Sequence, residues 1–540
     1  MANRLPALLV LFLLAFSSLT HVVTQEQKVL ENSDNIYASS GAGTSTDVQS
    51  WRIGDKWTYE TQFDVAQLIA QANISASLNT LTGDTVYEVE DIFFITVDGI
   101  QTLAYKMKID GDFASGNIGA TLDVPGFGLV QGRLNIEYSG EDIFRVRDLA
   151  VINSEFTLDV KFRPYNLGFL EQDLALITFD TYYDPPKEKY DFPMRTGDQW
   201  YMPFMSGTSV DGSSDYFDPS EFDTNGAENT SWQVTKDGIP TEDGLNIKYE
   251  GCDDSYKVNE WNATGVNAGF NWYCPAVRFN SWIRISNAAG FTIDWLLKDY
   301  EPYDSFGVDK RKNPGARNIE IEVDTQFIAT LPDTMSKIYA TYSVAPNGVP
   351  EVNKNLQLRY EMAGTLLNPT TNSSGQIEES INVSNVTDDT IASDDYSSNG
   401  VIVWDPVQEI IGVTSLVIDL SVVGIDLVAQ EESIIVTRTR DGEVTTLSKS
   451  IGYNALPGDQ LSFSLPAQNR GIFTSPSTEM EVMIPGGEAI RQAVPSIEAY
   501  SEQRILVDWI VPEGATIGNQ TLTFTVDPDM NVTADANRSN

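Results

Sequence analysis

The sequence predicts a mainly β protein in which two related antiparallel-sheet modules precede two β-sandwiches. A Gly-Asp-x-Trp turn occurs twice, at residues 54–57 and 197–200. Runs in which apolar and polar residues alternate recur from the first turn to the end of the chain, and this period of two is typical of half-buried strands. The best candidate for a helix is one short segment, residues 64–73.

Length and charge limit the class of protein. The chain has 540 residues, of which 41% are hydrophobic, so it is a folding chain with roughly three or four domains. Its 77 acidic and 34 basic residues give a net charge of −43. This charge disfavours nucleic acid as a partner, because phosphate binding needs a basic face. An acidic surface also suits solubility in saline surroundings.

The N-terminal residues 1–24 have the pattern of a secretory signal peptide. Arg4 precedes an apolar run over residues 5–16, and small residues follow. The run is shorter than the roughly 18 residues that a membrane span needs. We therefore expect an exported chain, extracellular or at the cell surface, with no transmembrane span beyond the signal peptide. Residues 25–48 are polar and rich in Ser and Gly, which predicts a flexible linker.

Little catalytic chemistry is open to the mature chain. Its one histidine, His21, lies in or beside the signal peptide, which excludes Ser-His-Asp and Cys-His catalysis and histidine-ligated metals. The G-x-S-x-G, P-loop and Rossmann glycine patterns are also absent from the sequence. We predict a non-enzymatic protein with no catalytic residues and no cofactor except calcium. Because two carboxylates suffice for a glycosidase, a secreted carbohydrate-active enzyme is one alternative.

An acidic loop at residues 211–226 is the candidate calcium site. It combines Gly, Ser and Pro with several carboxylates, and oxygen-rich loops of this kind suit a hard cation. The spacing matches no EF-hand, so a solvated acidic loop is the alternative. The candidate ligands are Asp211, Asp215, Asp218, Glu221 and Asp223.

Two covalent modifications are expected in an exported chain. Cys252 and Cys274 are most simply joined in a disulfide, because exported proteins fold under oxidising conditions, and two free buried thiols are the alternative. N-glycosylation requires an Asn-x-Ser/Thr sequon. Sequons occur at Asn73, Asn229, Asn262, Asn372, Asn382, Asn385, Asn519, Asn531 and Asn537.

The two front modules, predicted at residues 49–190 and 191–305, each open with the repeated turn. In each turn a glycine tolerates positive φ, an aspartate can hydrogen-bond the turn backbone, and a tryptophan starts a strand. Duplication of one domain type is predicted, and a common turn-to-strand start is the alternative. One helix beside many strands predicts a curved, half-barrel-like sheet with an open face in each module. The turn residues are Gly54, Asp55, Trp57, Gly197, Asp198 and Trp200.

These modules resemble exported half-barrel domains of the lipoprotein-carrier type. The resemblance depends on the Gly-Asp-x-Trp-x-Tyr opening and on a Trp-Tyr-Cys-Pro segment that begins at Trp272 and Tyr273, and it extends over roughly half of the chain. The alternative for both aromatic residues is a place in the core, where large aromatic side chains are commonly found. Such domains cradle acyl chains, so the resemblance implies an alternative function as a carrier of a lipid or another hydrophobic ligand.

A basic break at residues 309–317 separates the front modules from the sandwiches. Beyond it, Ile319, Ile321 and Val323 alternate with acidic residues, which predicts a half-buried strand. Further strand-like runs follow, so residues 316–425 are predicted to form an immunoglobulin-like sandwich.

The last segment, residues 426–540, has several recognisable features. Leu461, Phe463 and Leu465 share one strand face, and Leu522, Phe524 and Val526 alternate with threonines. Together with Asn469-x-Gly471, the Trp509 strand ending in Val511-Pro512, and the closing Asp527-Pro528-Asp529, they make the segment resemble the CARDB family. CARDB is an immunoglobulin-like module of exported prokaryotic surface proteins, named for a role in adhesion. The resemblance implies a sandwich that serves as a spacer or in adhesion, and it implies no catalytic residues.

We therefore expect an exported, non-enzymatic, multidomain protein of the cell surface or extracellular space that functions in binding or adhesion. The front modules would form the recognition surface, and the sandwiches would be spacers. The expected partner is a cell-surface protein, a glycan or a hydrophobic ligand.

Overall fold

The structure, a computed structural model, describes most of the chain. The predicted signal peptide, the predicted linker up to residue 44, and residues 65–73 of the helix candidate lie outside the described residues. Described are residues 45–64, 77–78, 80–124, 128–165, 171–214, 219, 223–242, 245–247, 249–287, 291–302, 317–324, 326–329, 335–345, 347–383, 396–419, 424–429, 434–447, 453–471, 473–485, 489–498 and 501–535.

The front part of the chain consists almost entirely of strands. Those of the first half are β1 (Lys56–Asp64), β2 (Ser77–Leu78), β3 (Leu81–Val97), β4 (Ile100–Ala114), β5 (Ala120–Val124), β6 (Gly128–Arg145), β7 (Val151–Pro164) and β8 (Gln172–Lys187). Those of the second half are β9 (Gln199–Ser214), β10 (Thr224–Gly238), β11 (Thr241–Glu242), β12 (Leu245–Asn246), β13 (Ser255–Trp261), β14 (Asn267–Cys274), β15 (Phe279–Asn287) and β16 (Phe291–Glu301). Short 3-10 helices occupy Cys252–Asp254 and Pro275–Val277.

One closed, barrel-like antiparallel sheet contains strands from both halves. The first half contributes β1, β3, β4, β6, β7 and β8, and the second contributes β9, β10, β13, β14, β15 and β16. Neighbours along the chain are neighbours in the sheet, as in an up-and-down meander. The sheet closes because β8 pairs with β9 and β16 pairs with β1. The short β5 pairs antiparallel with the start of β6, β2 pairs with β5, and β11 with β12 forms a separate hairpin.

The prediction of two half-barrel sheets, each with an open face, is wrong. A half-barrel has two edge strands whose backbone N–H and C=O groups lack partners, and such edges are a structural liability. Here the edge strands of the two halves pair with each other, so their backbone N–H and C=O groups find partners. The pairing of β1 with β16 runs from Lys56 opposite Glu301 to Asp64 opposite Thr292, with one register shift.

Aromatic side chains fill part of the interior of the closed sheet. Trp57, Tyr59 and Phe63 alternate along β1 and are completely buried. The chain that precedes β1 lies among them, with the ring centroid of Trp51 5.6 Å from that of Trp57 and 5.2 Å from that of Phe279. A 12-stranded sheet encloses more space than one layer of side chains can fill. The segment before β1 therefore helps to pack the inside.

Residues 317–419, called the middle unit, form two sheets with one shared core. Its strands are β17 (Arg317–Val323), β18 (Phe327–Ala329), β19 (Met335–Val344), β20 (Val349–Pro350), β21 (Gln357–Tyr360), β22 (Thr365–Leu367), β23 (Gln376–Asn382), β24 (Tyr396–Asp405) and β25 (Ile410–Asp419). One sheet contains β17, β19, β20 and β23, and the other contains β18, β25, β24, β21 and β22. Buried Ile338 and Val403 come from opposite sheets, so each sheet covers the apolar face of the other.

Residues 424–535, called the C-terminal unit, also form two sheets around one core. Its strands are β26 (Leu427–Ala429), β27 (Ile435–Arg440), β28 (Glu443–Leu447), β29 (Gln460–Asn469), β30 (Thr478–Met483), β31 (Ala489–Val494), β32 (Ser501–Ile510) and β33 (Thr523–Val526). The expected alternation along β29 is confirmed, since Leu461, Phe463 and Leu465 are buried. A period of two thus places these side chains on the core face.

Candidate functional site

The two ends of the barrel differ in what they contact. At one end, called the proximal end, the Leu103 backbone N–H donates to Glu361 Oε1 of the middle unit at 2.9 Å. At the same end, Thr414 of the middle unit donates to Asp47 Oδ2 at 2.8 Å. Because antiparallel strands place alternate connections at opposite ends, the connections that follow β1, β4, β7, β9, β13 and β15 leave from the other, distal end.

Buried charges and rings hold the proximal end against the middle unit. Glu361 accepts a hydrogen bond from Arg359 Nε at 3.3 Å and lies 3.8 Å from Arg147 Nη1 of the barrel. Burial raises the pKa of Glu361, and the Leu103 N–H and the two arginines oppose this effect. The ring of Phe94 on β3 lies 5.2 Å from that of Trp404 on β24. Burial and charge pairing thus support one fixed orientation between barrel and middle unit.

The first copy of the repeated turn precedes β1. Gly54 has φ 95°, which a side chain would strain, and its N–H donates to Val89 O at 2.8 Å. Asp55 is completely buried, and its Oδ2 accepts the Arg52 N–H at 2.9 Å. The Val89 N–H in turn donates a hydrogen bond to Asp55 O at 3.0 Å. These bonds tie the turn to β3 and direct the chain into β1.

The second copy repeats these hydrogen bonds before β9. Gly197 has φ 96° and donates to Val234 O at 2.7 Å. Asp198 Oδ2 accepts the Arg195 N–H at 2.7 Å, and the Val234 N–H donates to Asp198 O at 2.8 Å. The sequence comparison missed the arginine that precedes each glycine by two positions. Extending the motif from Gly-Asp-x-Trp to Arg-x-Gly-Asp-x-Trp would have revealed it.

Charged side chains face the barrel interior near β6, β8, β10 and β13. Lys187 Nζ lies 2.8 Å from Glu260 Oε1, and these side chains retain 12% and 16% of their exposure. The lysine ammonium also lies 5.8 Å from the ring centroid of Phe204 and 5.9 Å from that of Trp232. An ion pair inside a closed sheet that keeps solvent access indicates that water reaches this part of the interior.

Asp142 on β6 also faces the interior, and Lys189, which follows β8 in the chain, influences it electrostatically. Asp142 lies opposite Ser154 on β7 and is half-buried. Burial raises the pKa of Asp142 to about 6, with Ser154 and Lys189 opposing the shift. Burial and the neighbouring Lys187 lower the pKa of Lys189, while Glu260 and Asp142 act in the other direction. The group therefore combines both signs of charge in an environment that penalises each charge.

A groove of about 700 Å³ lies on the outer wall of the barrel. Its charges form rows across neighbouring strands. Asp112 on β4 stands opposite Glu137 on β6, and four residues away along β6 Arg133 stands opposite Arg163 on β7. Like charges directly opposite each other destabilise a sheet pair. Arg163 has Glu171 at 3.8 Å, whereas Arg133 makes no ion pair with any residue that the structure describes.

The structure describes only part of the candidate calcium loop. Asp211 is exposed, and Asp223 Oδ1 accepts the Val210 N–H at 2.7 Å. Asp215, Asp218 and Glu221 lie outside the described residues. Among the described residues no group of three or more Asp, Glu, Cys or His side chains could hold a metal ion. Calcium binding by this loop stays a prediction.

Cys252 and Cys274 form a disulfide with Cα atoms 5.4 Å apart, next to the proximal end of β14. Several sequon asparagines are exposed, but Asn262 is half-buried and its Oδ1 accepts the Thr264 and Val266 N–H groups. The exposed ones are Asn229, Asn372, Asn382, Asn519 and Asn531, while Asn73, Asn385 and Asn537 lie outside the described residues. In the described part of the chain, no helix is both long and apolar enough to cross a membrane.

Comparisons with known proteins identify the C-terminal part of the chain. Residues 443–540 match the CARDB family, so this segment is a CARDB module, as its sequence features predict. No curated protein matches the chain by sequence.

Two solved structures resemble the chain over most of its length. One is a protein of Corynebacterium diphtheriae, provisionally described as membrane anchored, with 10% identity, 87% of this chain and 92% of that chain covered, and a TM-score of 0.15. The other is a mutant of Salmonella alpha-2-macroglobulin, with 8% identity, 91% and 39% covered, and a TM-score of 0.15. At these TM-scores neither similarity supports a conclusion about fold or function.

Proposed function

We propose that the protein is exported and acts outside the cell as a non-enzymatic binding or adhesion protein. In this proposal the barrel binds the partner, and the middle and C-terminal units are spacers. The CARDB match of residues 443–540 is the observation that supports it most, because CARDB modules occur in exported surface proteins. The signal-peptide pattern of residues 1–24 agrees with export.

The barrel offers its distal end and outer wall for binding, because its proximal end is joined to the middle unit. On the outer wall, the charged groove places Arg133 opposite Arg163 at a cost in sheet stability. Guanidinium groups bind carboxylates and phosphates in a two-pronged geometry. Acidic residues, among them Asp112 and Glu137, line the rest of the groove. The groove therefore suits a surface partner that presents an anionic group at the two arginines and cationic or donor groups at these carboxylates.

Export is tested by fractionating cells that produce the full chain or a variant lacking residues 1–24. The full chain is expected in the extracellular or surface fraction, shortened by the length of the signal peptide, whereas the truncated variant stays inside. Recovery of the uncleaved full chain from the cytoplasm would contradict the proposal.

Binding is tested by coating beads with the mature chain, residues 25–540, and measuring their retention on cells of the producing organism. The Arg133→Ala/Arg163→Ala variant is expected to lose roughly tenfold or more in affinity, since two charge-assisted hydrogen-bonding groups are removed. Lys337→Ala/Lys354→Ala removes two charges from the middle unit and is the matched control. Retention no greater than that of uncoated beads would refute adhesion. Release of reducing sugar from the cells would instead favour the carbohydrate-active alternative.

A further inference from the structure

An uncharged row of exposed side chains lies on the outer wall of the barrel. Along β9, Tyr201, Pro203 and Met205 point outward and are exposed, while the residues between them are buried. On β8, exposed Tyr182 stands opposite Gly207, and a Cβ at that glycine would collide with the Tyr182 ring. The ring therefore lies across the glycine. Together the three residues of β9 and this tyrosine are called the β9 stripe. Contiguous exposed apolar surface of this kind marks a place where another group binds.

The exposed sequon residue Asn229 on β10 lies directly beside the β9 stripe. It stands opposite Pro203, and Ser231, the third residue of its sequon, stands opposite Tyr201. Met205 lies diagonally from Asn229 on the other side. Side chains directly opposite across an antiparallel pair have Cβ atoms about 5 Å apart, and diagonal neighbours lie about 7–8 Å apart. A group attached to the Asn229 side chain therefore reaches all three residues of the stripe on β9.

The other described sequons have different surroundings. Among the sequon asparagines that the structure describes, only Asn229 and Asn382 lie within strands. Asn382 is the last residue of β23 and stands opposite Met335, the first residue of β19. Asn229 instead lies in the middle of β10, with an aromatic and two apolar side chains on the neighbouring strand. The structure thus distinguishes one sequon from the others by the surface beside it.

We propose that Asn229 of the exported protein carries an N-linked glycan whose first sugar rings pack on Tyr201 and Pro203. The face of a tyrosine ring is electron-rich and attracts the C–H groups on the face of a sugar ring. The sugar hydroxyls stay in water, so a glycan covers the β9 stripe and keeps this part of the wall soluble. The inference rests on the export that we propose above, because sequons are glycosylated in exported chains. It does not depend on adhesion.

The modification joins Asn229 Nδ2 to C1 of a sugar, and the donor is an oligosaccharide linked through phosphate to a lipid. The bond between Nδ2 and C1 forms, and the bond between C1 and the phosphate oxygen breaks. Nδ2 loses one proton, and the lipid phosphate leaves with the electron pair of the broken bond. Recognition of the sequon also requires the hydroxyl of its third residue, Ser231. Asn229 and Ser231 are two positions apart on one strand and therefore share its outer face.

Mass spectrometry of the full chain, purified from the extracellular or surface fraction of the producing organism, tests the modification. Trypsin releases residues 196–236 as one peptide, in which Asn229 is the only sequon asparagine. We expect this peptide to be heavier by a whole number of sugar residues. Asn229→Gln and Ser231→Ala should each abolish the added mass, whereas Ser231→Thr, which preserves the sequon, should retain it. Asn225→Gln is the matched control, because Asn225 is exposed on the same strand but belongs to no sequon.

Nitration of tyrosine rings with tetranitromethane tests whether the glycan covers the β9 stripe. Tyr201 should react several-fold more slowly in the glycosylated chain than in the Asn229→Gln variant, because the sugar rings shield it. Tyr165, which follows β7, is the control, since it is 52% exposed against 43% for Tyr201 and lies away from the stripe. Tyr165 should react at the same rate in both proteins.

An exported chain that has lost residues 1–24 but yields an unmodified 196–236 peptide would overturn the inference and leave export standing. A glycan at Asn229 that does not slow the nitration of Tyr201 would overturn its packing on the β9 stripe. Recovery of only uncleaved chain from the cytoplasm would refute export and the inference with it. Bead retention depends on the groove of β4, β6 and β7, so adhesion is tested independently of the glycan.

Discussion

The two copies of the Arg-x-Gly-Asp-x-Trp turn have the same backbone hydrogen bonds but different side-chain surroundings. Trp57 donates through Nε1 to Val277 O at 2.7 Å and has several aromatic neighbours. Trp200 donates to Glu188 O at 3.4 Å and stacks at 6.2 Å on Trp232. The turn therefore sets where each half enters the barrel, and the neighbouring elements decide how tightly its tryptophan is held.

The charges of the two turns differ more than their tryptophans. In the first copy, Arg52 Nη2 donates to Asn318 Oδ1 of the middle unit at 3.1 Å, and Arg278 lies 3.6 Å from Asp55. In the second copy, Arg195 Nε lies 3.5 Å from Asp198 of its own turn. The arginine of the first turn thus bonds to the middle unit, whereas the arginine of the second turn pairs with its own aspartate, which Arg470 of the C-terminal unit also influences.

The largest expected effect concerns the tryptophans. Trp57→Ala and Trp200→Ala should each lower the free energy of unfolding by about 3–5 kcal/mol, because each removes a fully buried ring and leaves a cavity. The loss should be greater for Trp57, with its shorter hydrogen bond and additional rings. Guanidinium unfolding followed by near-UV circular dichroism measures both. Tyr201→Ala, at an exposed neighbouring position, should change stability by about 0.5 kcal/mol or less. Equal small losses at both tryptophans would contradict this comparison.

The next effect is a pH dependence of the free energy of unfolding that comes from Asp198 of the second turn. Burial raises the pKa of Asp198 to about 6, above its ordinary value, and Arg195 only partly offsets this. Because the folded state holds this proton more tightly, the stability that it contributes is present below about pH 4 and is lost as pH rises towards 6. Relative to Asp198→Asn, the unmodified chain should lose roughly 2–3 kcal/mol of stability between pH 4 and 7.

Urea midpoints of both proteins across this pH range measure the effect of Asp198. Asp211→Asn, which alters an exposed carboxylate of the same half, controls for the change in net charge. A difference between the unmodified chain and Asp198→Asn that stays constant with pH would exclude a raised pKa at Asp198.

The smallest effect should be the same in both halves. Gly54→Ala and Gly197→Ala each place a side chain at a φ near 95°, at a cost of about 1–2 kcal/mol. Thermal unfolding of the two variants should give matching losses, because the turns share their backbone bonds. Gly116→Ala is the control, since an added Cβ there meets no atom within 4 Å. If only one of the two variants loses stability, the two turns share their hydrogen bonds but not their sensitivity to a side chain at the glycine.

Local sequence patterns predicted those features that depend only on residues close together in the chain. The alternation of Leu461, Phe463 and Leu465 indicated the core face of β29, and the closing features of the segment indicated a CARDB module. Both depend on side-chain period and turn chemistry, which a short stretch of sequence contains. The interior group could not be found in this way. Lys187 and Glu260 belong to no motif, and their ion pair forms because the closed sheet brings together side chains 73 positions apart in the chain.

By itself the sequence determined that the chain is mainly β, that one turn occurs twice, and that the last segment is a CARDB module. Each of these follows from residues close together in the chain. Only the tertiary structure decided that the two halves close into one sheet, since the pairing of Lys56 with Glu301 joins strands that no local pattern connects. Edge strands carry the same unpaired backbone groups whatever their sequence, so the partner they find is set by the fold as a whole.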